Sequence, residues 1–401
     1  MRYSVGGVLK QSEDEDFQQA LGALDTPRRV FCMCIDPPVE MYVPLVRGQY
    51  SLSCMPGTAT KHAAGCTHYE PPLSISGAGE VMGTAIESNE SGEVMLRLDF
   101  PMSQIGGRAP PVPTGLEPEV AKAKSSKLTM RGLLHYLWQE AAFHKWSPRM
   151  ANKRNDWVLH KYLFAAAANK RLRSGKLSDV LVIPKPQPNN VGQSAEGMHV
   201  LLQLARAATD ANGGRQLALV AGEVVGLEKK AIGSQMRIKG LERGLGVSVE
   251  LQARIEKAFT NQILMWQPGA NKLMMLGTVF ADTVGNPMLA EATLMNVTND
   301  FLPFESVFEE RMVERLIGEQ RRFTKGLRFN LYKGIPIAVA VLTDTAKPTA
   351  IFILKPGEDE GVLHKQVAEA ESENLSTLVW RVSQGGEPAL PPIAPMQRHH
   401  P

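Results

Sequence analysis

The 401-residue sequence lacks features that define several protein classes. It has no run of about 18 apolar residues, the length that a membrane-spanning helix needs. The N-terminus is too polar and its apolar stretch too short for a secretory signal, so we expect a cytoplasmic protein with no membrane partner. The length predicts two or three domains, and the hydrophobic fraction of 43% suffices for a buried core.

Several enzyme signatures are also missing. Gly175-Lys176 is followed by Leu177 instead of Ser or Thr, and position 170 is Lys170 instead of Gly, so the chain has no Walker-type phosphate loop. It has neither a nucleophile elbow nor the His-Glu-x-x-His motif of zinc proteases. The sequence therefore predicts no catalytic residue, and whether the protein is an enzyme stays open.

Net charge is small, but it is unevenly distributed. The chain has 44 Lys and Arg against 41 Asp and Glu, a difference of +3. Residues 121–185 contain 14 cationic and 3 anionic residues, a net +11, and the remainder contains 30 and 38, a net −8. A segment this cationic in a near-neutral chain indicates an anionic partner such as nucleic acid.

Cysteine is rare and is restricted to one segment. All four cysteines lie within residues 32–66. With neighbouring histidines they form a Cys-x-Cys pair and a His-x3-Cys pair, which together can supply the four ligands of a tetrahedral zinc ion. In a cytosolic protein such clustering favours a metal over disulfides. The predicted zinc ligands are Cys32, Cys34, His62 and Cys66.

Two further residues compete for places at this site. Cys54 and His68 raise the number of candidates to six, and zinc needs four. The segment is poor in apolar residues and rich in turns, so a structural zinc would supply folding energy. The alternatives are a catalytic zinc with three protein ligands, a cysteine nucleophile paired with His62 or His68, and thiols without a metal role.

The pattern along the chain predicts a multi-domain α+β protein. Residues 1–104 are interpreted as a zinc-stabilised, β-rich module and residues 105–127 as a linker rich in Gly, Pro and Ser. Residues 128–186 form a basic helical module with a winged-helix-like pattern. Residues 191–383 alternate between strand and helix patterns and predict a mixed α/β domain. Residues 384–401 contain five prolines and are predicted to be a disordered tail.

The basic module carries the candidate nucleic-acid residues. Its second helix would enter the major groove of DNA, with the turn at residues 171–176 as the wing. Phosphate contacts by about six of its cations would make binding strongly salt-dependent. The alternatives are a solvated basic face around core aromatics and a scaffold for an acidic protein partner. The predicted nucleic-acid-binding residues are Arg149, Lys153, Arg154, Lys161, Lys170, Arg171, Arg173 and Lys176.

Two later stretches, together with the cysteine pairs, carry a family resemblance. They are residues 304–330, which include Arg321-Arg322-Phe323-Thr324-Lys325-Gly326, and residues 340–351. Over nearly its whole length the chain resembles the bacterial domain-of-unknown-function 1173 family, often encoded on plasmids and integrative conjugative elements. The resemblance implies an accessory protein of a mobile element and no particular activity. Cys32, Cys34 and Cys66 match the family's cysteines, and Cys54 looks like an extra one.

The C-terminal part also resembles a restriction-endonuclease-type fold. That fold gathers carboxylates around Mg²⁺ from an acid on one strand and a Glu-x-Lys on the next. Lys355 fits the lysine position, but Ile353 stands at the Glu position, and Ala338 and Ala340 stand where the first acid is needed. We expect an inactive, nuclease-like scaffold. The alternative is a metal-dependent nuclease with a relocated acidic site that includes Asp344.

A helix predicted over residues 304–317 carries three glutamates near its start. Acidic residues suit the positive end of a helix. Because no partner acid completes a metal site with them, Glu305, Glu309 and Glu310 are expected on a solvated helix face.

Overall fold

The computed structural model describes residues 1–46, 48–55, 57–89, 93–104, 126–186, 195–206, 215–230 and 233–394. Over these ranges the chain is a mixed α+β protein with eight α-helices, and the α+β prediction is confirmed. The predicted linker lies outside the described residues except for residues 126–127. In the described chain, no helix is long and apolar enough to cross a membrane.

The N-terminal part consists of short strands and one short helix. Its elements are β1 (Arg2–Val5), β2 (Val8–Gln11), α1 (Phe17–Gly22), β3 (Arg29–Cys32), β4 (Val39–Tyr42), β5 (Leu45–Val46), β6 (Gln49–Tyr50), β7 (Ser53–Cys54), β8 (Ile86–Ser88), β9 (Val94–Leu96) and β10 (Ser103–Gln104). An antiparallel sheet has the order β2-β1-β3-β4-β7. Phe17 and Leu21 of α1 pack into the same small core as Tyr3 and Val30.

The basic segment contributes a buried helix and a hairpin. Its elements are α2 (Met130–Glu140), β11 (Lys145–Trp146), α3 (Asp156–Ala167), β12 (Lys170–Leu172), β13 (Gly175–Lys176) and β14 (Leu181–Val182). Thr129 caps α2 by accepting a hydrogen bond from the Gly132 amide. Leu133, Leu137 and Trp138 are all buried. The β12–β13 hairpin, which the sequence predicts as a wing, pairs in parallel with β9.

A long central segment forms a small barrel. Its elements are α4 (Ala195–Arg206), β15 (Arg215–Gln216), β16 (Ala218–Lys229), β17 (Ser234–Ile238), β18 (Leu245–Val247), α5 (Val249–Ala258), α6 (Thr260–Met265), β19 (Asn271–Ala281), β20 (Pro287–Thr298) and β21 (Pro303–Phe304). Strands pair in the order β16-β17-β18-β20-β19, and β19 returns to β16, so the ring closes. Within this ring only β18 and β20 are parallel. The strand order, with helices between β18 and β19, is that of an OB-fold barrel.

The C-terminal segment is a separate mixed sheet. Its elements are α7 (Val307–Gly318), β22 (Phe323–Lys325), β23 (Ala340–Leu342), β24 (Thr349–Leu354), α8 (Glu360–Ser372) and β25 (Ser376–Arg381). The sheet order is β11-β22-β23-β24-β25, with β24 and β25 parallel and the other pairs antiparallel. Short 3-10 helices elsewhere are Ala59–Lys61, Leu73–Ile75, Gly77–Glu80, Pro148–Met150, Leu177–Asp179 and Val382–Gln384.

Strand pairs and hydrogen bonds connect the predicted modules. β9 pairs with β12, β10 with β15, and β11 with β22. The Gly77 amide donates to the Leu327 carbonyl at 2.9 Å, which joins the N-terminal part to the segment after β22. The three modules therefore pack through shared sheets, and their boundaries remain a sequence prediction.

Part of the predicted tail is packed against the protein. Glu387 forms ion pairs with Arg311 and, at 3.1 Å, with Arg315 of α7. The Ala394 amide donates to the Asp344 carbonyl at 2.7 Å. These contacts attach Glu387 to α7 and Ala394 to Asp344, and the disorder of residues 384–401 as a whole stays a prediction. Residues 395–401 lie outside the described residues.

The acidic face predicted on the helix near residue 304 is wrong for two of its three glutamates. Glu309 is 5% exposed and pairs with Lys325 at 3.1 Å, and Glu305 pairs with Arg328 at 2.6 Å. Burial alone would raise the pKa of Glu305, but the Arg328 guanidinium outweighs it and holds that pKa at about 2. These carboxylates neutralise buried cations, which periodicity alone does not reveal.

A close backbone approach at Gly77 provides a test of this packing. A Cβ at Gly77 would lie 1.7 Å from the Arg328 carbonyl oxygen, whereas a Cβ at Gly318 would meet nothing within 4 Å. We expect Gly77→Ala to lower the free energy of unfolding by about 1–3 kcal/mol, measured by urea denaturation. The matched control Gly318→Ala should stay within about 0.5 kcal/mol of the wild type. Equal effects of the two variants would contradict the described contact.

Candidate functional site

Two chain segments deliver the predicted metal ligands to one place. Cys32 is the last residue of β3, and Cys34 follows in the turn that leads to β4. His62 comes directly after the 3-10 helix Ala59–Lys61. Cys66 ends a tight turn in which its amide donates to the Ala63 carbonyl at 2.8 Å. The Cys-x-Cys turn and the His-x3-Cys turn thus face each other.

The distances among the ligand atoms match a tetrahedral zinc site. The Sγ atoms of Cys32 and Cys66 are 3.8 Å apart, and His62 Nδ1 lies 3.3 Å from Cys34 Sγ and 3.7 Å from Cys66 Sγ. Zinc bonds of about 2.3 Å to sulfur and about 2.0 Å to nitrogen imply tetrahedral edges of about 3.8 Å and about 3.5 Å. All four ligand atoms lie within 4.8 Å of one another, so the cluster can bind a metal ion.

The protein environment supports thiolates at this site. The Ala63 amide lies 3.4 Å from Cys34 Sγ and the His68 amide lies 3.5 Å from Cys66 Sγ, and both donate hydrogen bonds. A hydrogen bond from the Cys32 thiol lowers the pKa of Cys66, and the same bond raises the pKa of Cys32. The amide hydrogen bonds to Cys34 and Cys66 favour thiolates, and a bound cation would favour them further.

The two rival residues lie behind the ligand set. Cys54 Sγ is 3.6 Å from His62 Nε2, on the side of the ring away from Nδ1, and it donates to the His68 carbonyl at 3.5 Å. His68 Nε2 lies 2.8 Å from the Tyr3 hydroxyl, and burial lowers the pKa of His68 to about 4. Both residues can support the His62 ring, as groups around metal ligands commonly do. Four converging protein ligands are typical of structural sites, since catalytic zinc keeps an open position.

Residues from distant parts of the chain hold the second ligand turn. The Lys145 ammonium donates to the carbonyls of Thr67 and Tyr69 at 2.9 and 2.8 Å, and it pairs with Glu70 at 2.7 Å. The Arg322 guanidinium donates to the Gly65 carbonyl at 2.9 Å. The turn that carries His62 and Cys66 is thereby fixed to both the basic segment and the C-terminal sheet.

Most of the predicted nucleic-acid residues are exposed. Five of them flank or lie on α3, and none of the five forms an ion pair with a residue that the structure describes. Cations without a carboxylate partner keep their full attraction for an anionic ligand. These exposed cations are Arg149, Lys153, Lys161, Arg173 and Lys176.

The other three predicted residues use their charges internally. Lys170 is 2% exposed and pairs with Glu140 at 2.5 Å. Arg154 donates to the Asp300 carbonyl at 3.0 Å, and burial lowers its pKa to about 10. The structure thus buries Lys170 and leaves Arg154 half-buried, with its guanidinium engaged by backbone carbonyls. Arg171 is exposed but pairs with Glu93 at 3.1 Å.

Helix α3 exposes two aromatic residues, contrary to the alternative in which the aromatics of the basic module all belong to the core. Leu159 and Leu163 face the core, whereas Trp157 is 51% exposed and Tyr162 is 48% exposed. A period of 3.6 residues places Trp157 on the side of α3 away from Leu159 and Leu163, so the exposure of Trp157 could have been predicted, whereas Tyr162 falls closer to the buried side. A groove of about 770 Å³ beside Trp157 lies between α3 and strands β16 and β17. Local sequence carries no signal for this groove, because it forms between distant segments.

The carboxylates needed by a nuclease do not converge. In the described part of the chain, the cysteine–histidine cluster is the only group of three or more Cys, His, Asp or Glu residues placed to hold a metal. Asp344 accepts hydrogen bonds from the Arg321 guanidinium at 2.8 and 3.0 Å and from the Arg322 amide at 2.7 Å. Asp344 is therefore engaged as a structural carboxylate.

The comparison with known proteins gives a family and no activity. No curated protein matches the chain. A family model with the description "Protein of unknown function (DUF1173)" matches residues 3–383, which is nearly the whole sequence. The same residues include the metal cluster, the barrel and the C-terminal sheet. The chain therefore belongs to the DUF1173 family.

Proposed function

We propose that Cys32, Cys34, His62 and Cys66 hold a structural zinc ion. The convergence of four ligand atoms within 4.8 Å carries this proposal. Three sulfur donors and one imidazole favour zinc over hard cations such as Mg²⁺ or Ca²⁺. Zinc would tie the end of β3 to the His-x3-Cys turn and would stabilise a part of the chain whose strands are short. Reduced thiols of this kind suit a cytoplasmic protein, which is the location that we propose.

Metal analysis of matched cysteine variants tests the zinc proposal. We expect the purified wild type to contain about one zinc per chain and Cys66→Ser to lose most of it, because three ligands bind zinc much more weakly than four. Thermal unfolding of Cys66→Ser should also begin at a lower temperature. The control Cys54→Ser removes a thiol just outside the ligand set and should keep the zinc. Full zinc content in Cys66→Ser would refute the assignment.

We also propose that the protein binds nucleic acid, with DNA as the expected partner. The support is the group of five exposed cations around α3, which form no ion pair with a residue that the structure describes. Together with the plasmid and conjugative-element context that the family resemblance implies, this surface suggests an accessory protein of a mobile element. A scaffold that binds an acidic protein is the competing hypothesis. If a pull-down still recovers an acidic protein partner after nuclease treatment has removed the nucleic acid, the result would favour the scaffold hypothesis.

Salt dependence tests the nucleic-acid proposal. A triple variant Arg149→Gln, Lys153→Gln and Arg173→Gln should weaken binding and reduce the slope of log K against log salt by about 2–3, since each lost phosphate contact contributes about 0.7–0.9. The control replaces three exposed lysines elsewhere, Lys257, Lys347 and Lys365, with Gln. Anisotropy titrations across salt concentrations measure both variants. Binding with no salt slope, or equal slopes for both variants, would argue against this surface.

We further propose that the C-terminal segment is an inactive, nuclease-like scaffold. Its order of helix, three antiparallel strands, helix and parallel strand supports the likeness to the restriction-endonuclease type. The positions for the acids hold Ala338, Ala340 and Ile353. Asp344 forms an ion pair with Arg321 at 2.8 Å, which argues against its use as a metal-binding acid of a relocated nuclease site.

Replacement of Asp344 separates a structural from a catalytic role. Breaking a buried ion pair by removing one partner costs about 3–5 kcal/mol, so Asp344→Asn should lower the free energy of unfolding by about that amount. The paired replacement Asp344→Leu with Arg321→Met should recover part of the loss. We expect no Mg²⁺- or Mn²⁺-dependent DNA cleavage by the wild type. Cleavage that disappears in a folded Asp344→Asn protein would instead support the nuclease alternative.

A further inference from the structure

The groove between α3 and the barrel combines features that fit one class of ligand. It has a volume of about 770 Å³, within the range of sites for small organic groups. Trp157 forms part of its wall on the α3 side, and Arg237 and Lys239 belong to the wall on the barrel side. The exposed Lys161 of α3 directly follows the groove residue His160 in sequence.

The barrel side of the groove is formed by the first strand, β16, by the end of the second strand, β17, and by the residues that follow it, so it shares Arg237 and Ile238 with the second strand of the barrel. In OB-fold barrels the faces of the second and third strands and the adjoining loops bind oligonucleotides or oligosaccharides. Here the second strand is β17, whose Arg237 faces outward and forms a wall of the groove. Fold alone does not establish a ligand, so the groove's side chains must decide the class.

The cations in and near the groove favour an oligonucleotide over an oligosaccharide, although Asp156 and Glu223 also line the groove and pair with Lys239 at 2.9 and 3.2 Å. Lys185 and Arg237 in the groove are 54% and 44% exposed, although each also pairs with a glutamate. Lys153 and Lys161 lie next to the groove residues in sequence and have no acidic partner among the described residues. A sugar chain offers no charge to these cations, whereas each nucleotide of a strand brings a phosphate.

The exposed tryptophan selects an unpaired strand over a duplex. A base can stack on an aromatic side chain only when its face is free, so stacking platforms are typical of proteins that bind single strands. Trp157 is 51% exposed although it is one of the largest apolar side chains, and Tyr162 on the same helix is 48% exposed. Lys161 Nζ lies 5.7 Å from the centre of the Tyr162 ring, a cation–aromatic contact on α3 outside the groove lining.

We infer that this groove binds single-stranded nucleic acid, with one unpaired base stacked on Trp157 and the backbone following the adjacent cations. The inference rests on the proposed nucleic-acid binding and adds the strandedness of the ligand and its contact residue. It differs from the winged-helix prediction, in which α3 would enter the major groove of a duplex.

The experiment compares one labelled DNA strand of about 16 nucleotides with its duplex, on the full-length protein at about 50 mM salt. We expect the wild type to bind the strand at least about tenfold more tightly than the duplex. Trp157→Ala should weaken strand binding by about tenfold, which corresponds to the loss of one stacked base. Trp157→Phe should stay within about twofold, because phenylalanine still offers a ring.

Two further measurements separate the possible results. Addition of the strand should quench tryptophan fluorescence in the wild type, and this quenching should be absent in Trp157→Phe. The control Tyr332→Ala removes an exposed aromatic side chain from another part of the chain and should leave binding unchanged. Circular dichroism and zinc content verify that each variant is folded.

Three results would overturn the inference in different ways. Equal affinity for strand and duplex, with no effect of Trp157→Ala, would overturn the groove assignment and leave the nucleic-acid proposal intact. Loss of strand binding in Tyr332→Ala equal to that in Trp157→Ala would show that the effect is not local. No binding to either DNA form would overturn the nucleic-acid proposal and the inference together.

Discussion

The burial of helix α2 is the constraint on which the other parts of the structure depend. The helix is buried from Gly132 to Trp138, and polar side chains in such a buried stretch must find hydrogen-bond partners. His135 accepts hydrogen bonds from the amides of Arg328 and Phe329, and Trp138 donates to the Phe301 carbonyl. Burial lowers the pKa of His135 to about 3, so the ring stays neutral and keeps its acceptor nitrogen. The basic segment is therefore central to the core and joins the barrel to the C-terminal sheet.

The metal ligands could be predicted from sequence because few residue types bind zinc and their spacing is short. The exclusion of Cys54 from the ligand set required the structure. The Nδ1 atom of His62 faces Cys34 and Cys66, whereas Cys54 lies next to Nε2 on the other side of the ring. The barrel was not predicted. Its closure pairs Ala218 with Val279, and local patterns carry no information on a register between residues so far apart. Strand patterns were recognisable in that region, but the ring they form was not.

In the cationic segment, the net charge counted from sequence is larger than the charge available on the protein surface. The net +11 of residues 121–185 includes Lys170, which neutralises Glu140, and Arg154, which serves backbone carbonyls. Sequence composition cannot separate such cations from exposed ones, because burial depends on tertiary packing. What remains on the surface is a smaller group around α3, placed beside exposed aromatic rings. The structure thus reduces the basic region to five exposed cations around α3, a helix that also exposes two aromatic side chains.

The hydrogen bond between the Gly65 carbonyl and the Arg322 guanidinium joins parts of the chain that are synthesised at different times. The two residues are 257 positions apart, so synthesis at about 5–20 residues per second separates their appearance by on the order of 10 to 50 s. All four ligands lie within residues 32–66 and leave the ribosome together. A cluster that can bind a metal is therefore complete in the nascent chain long before the C-terminal sheet exists. The sheet, which contacts this turn through Arg322, is synthesised later.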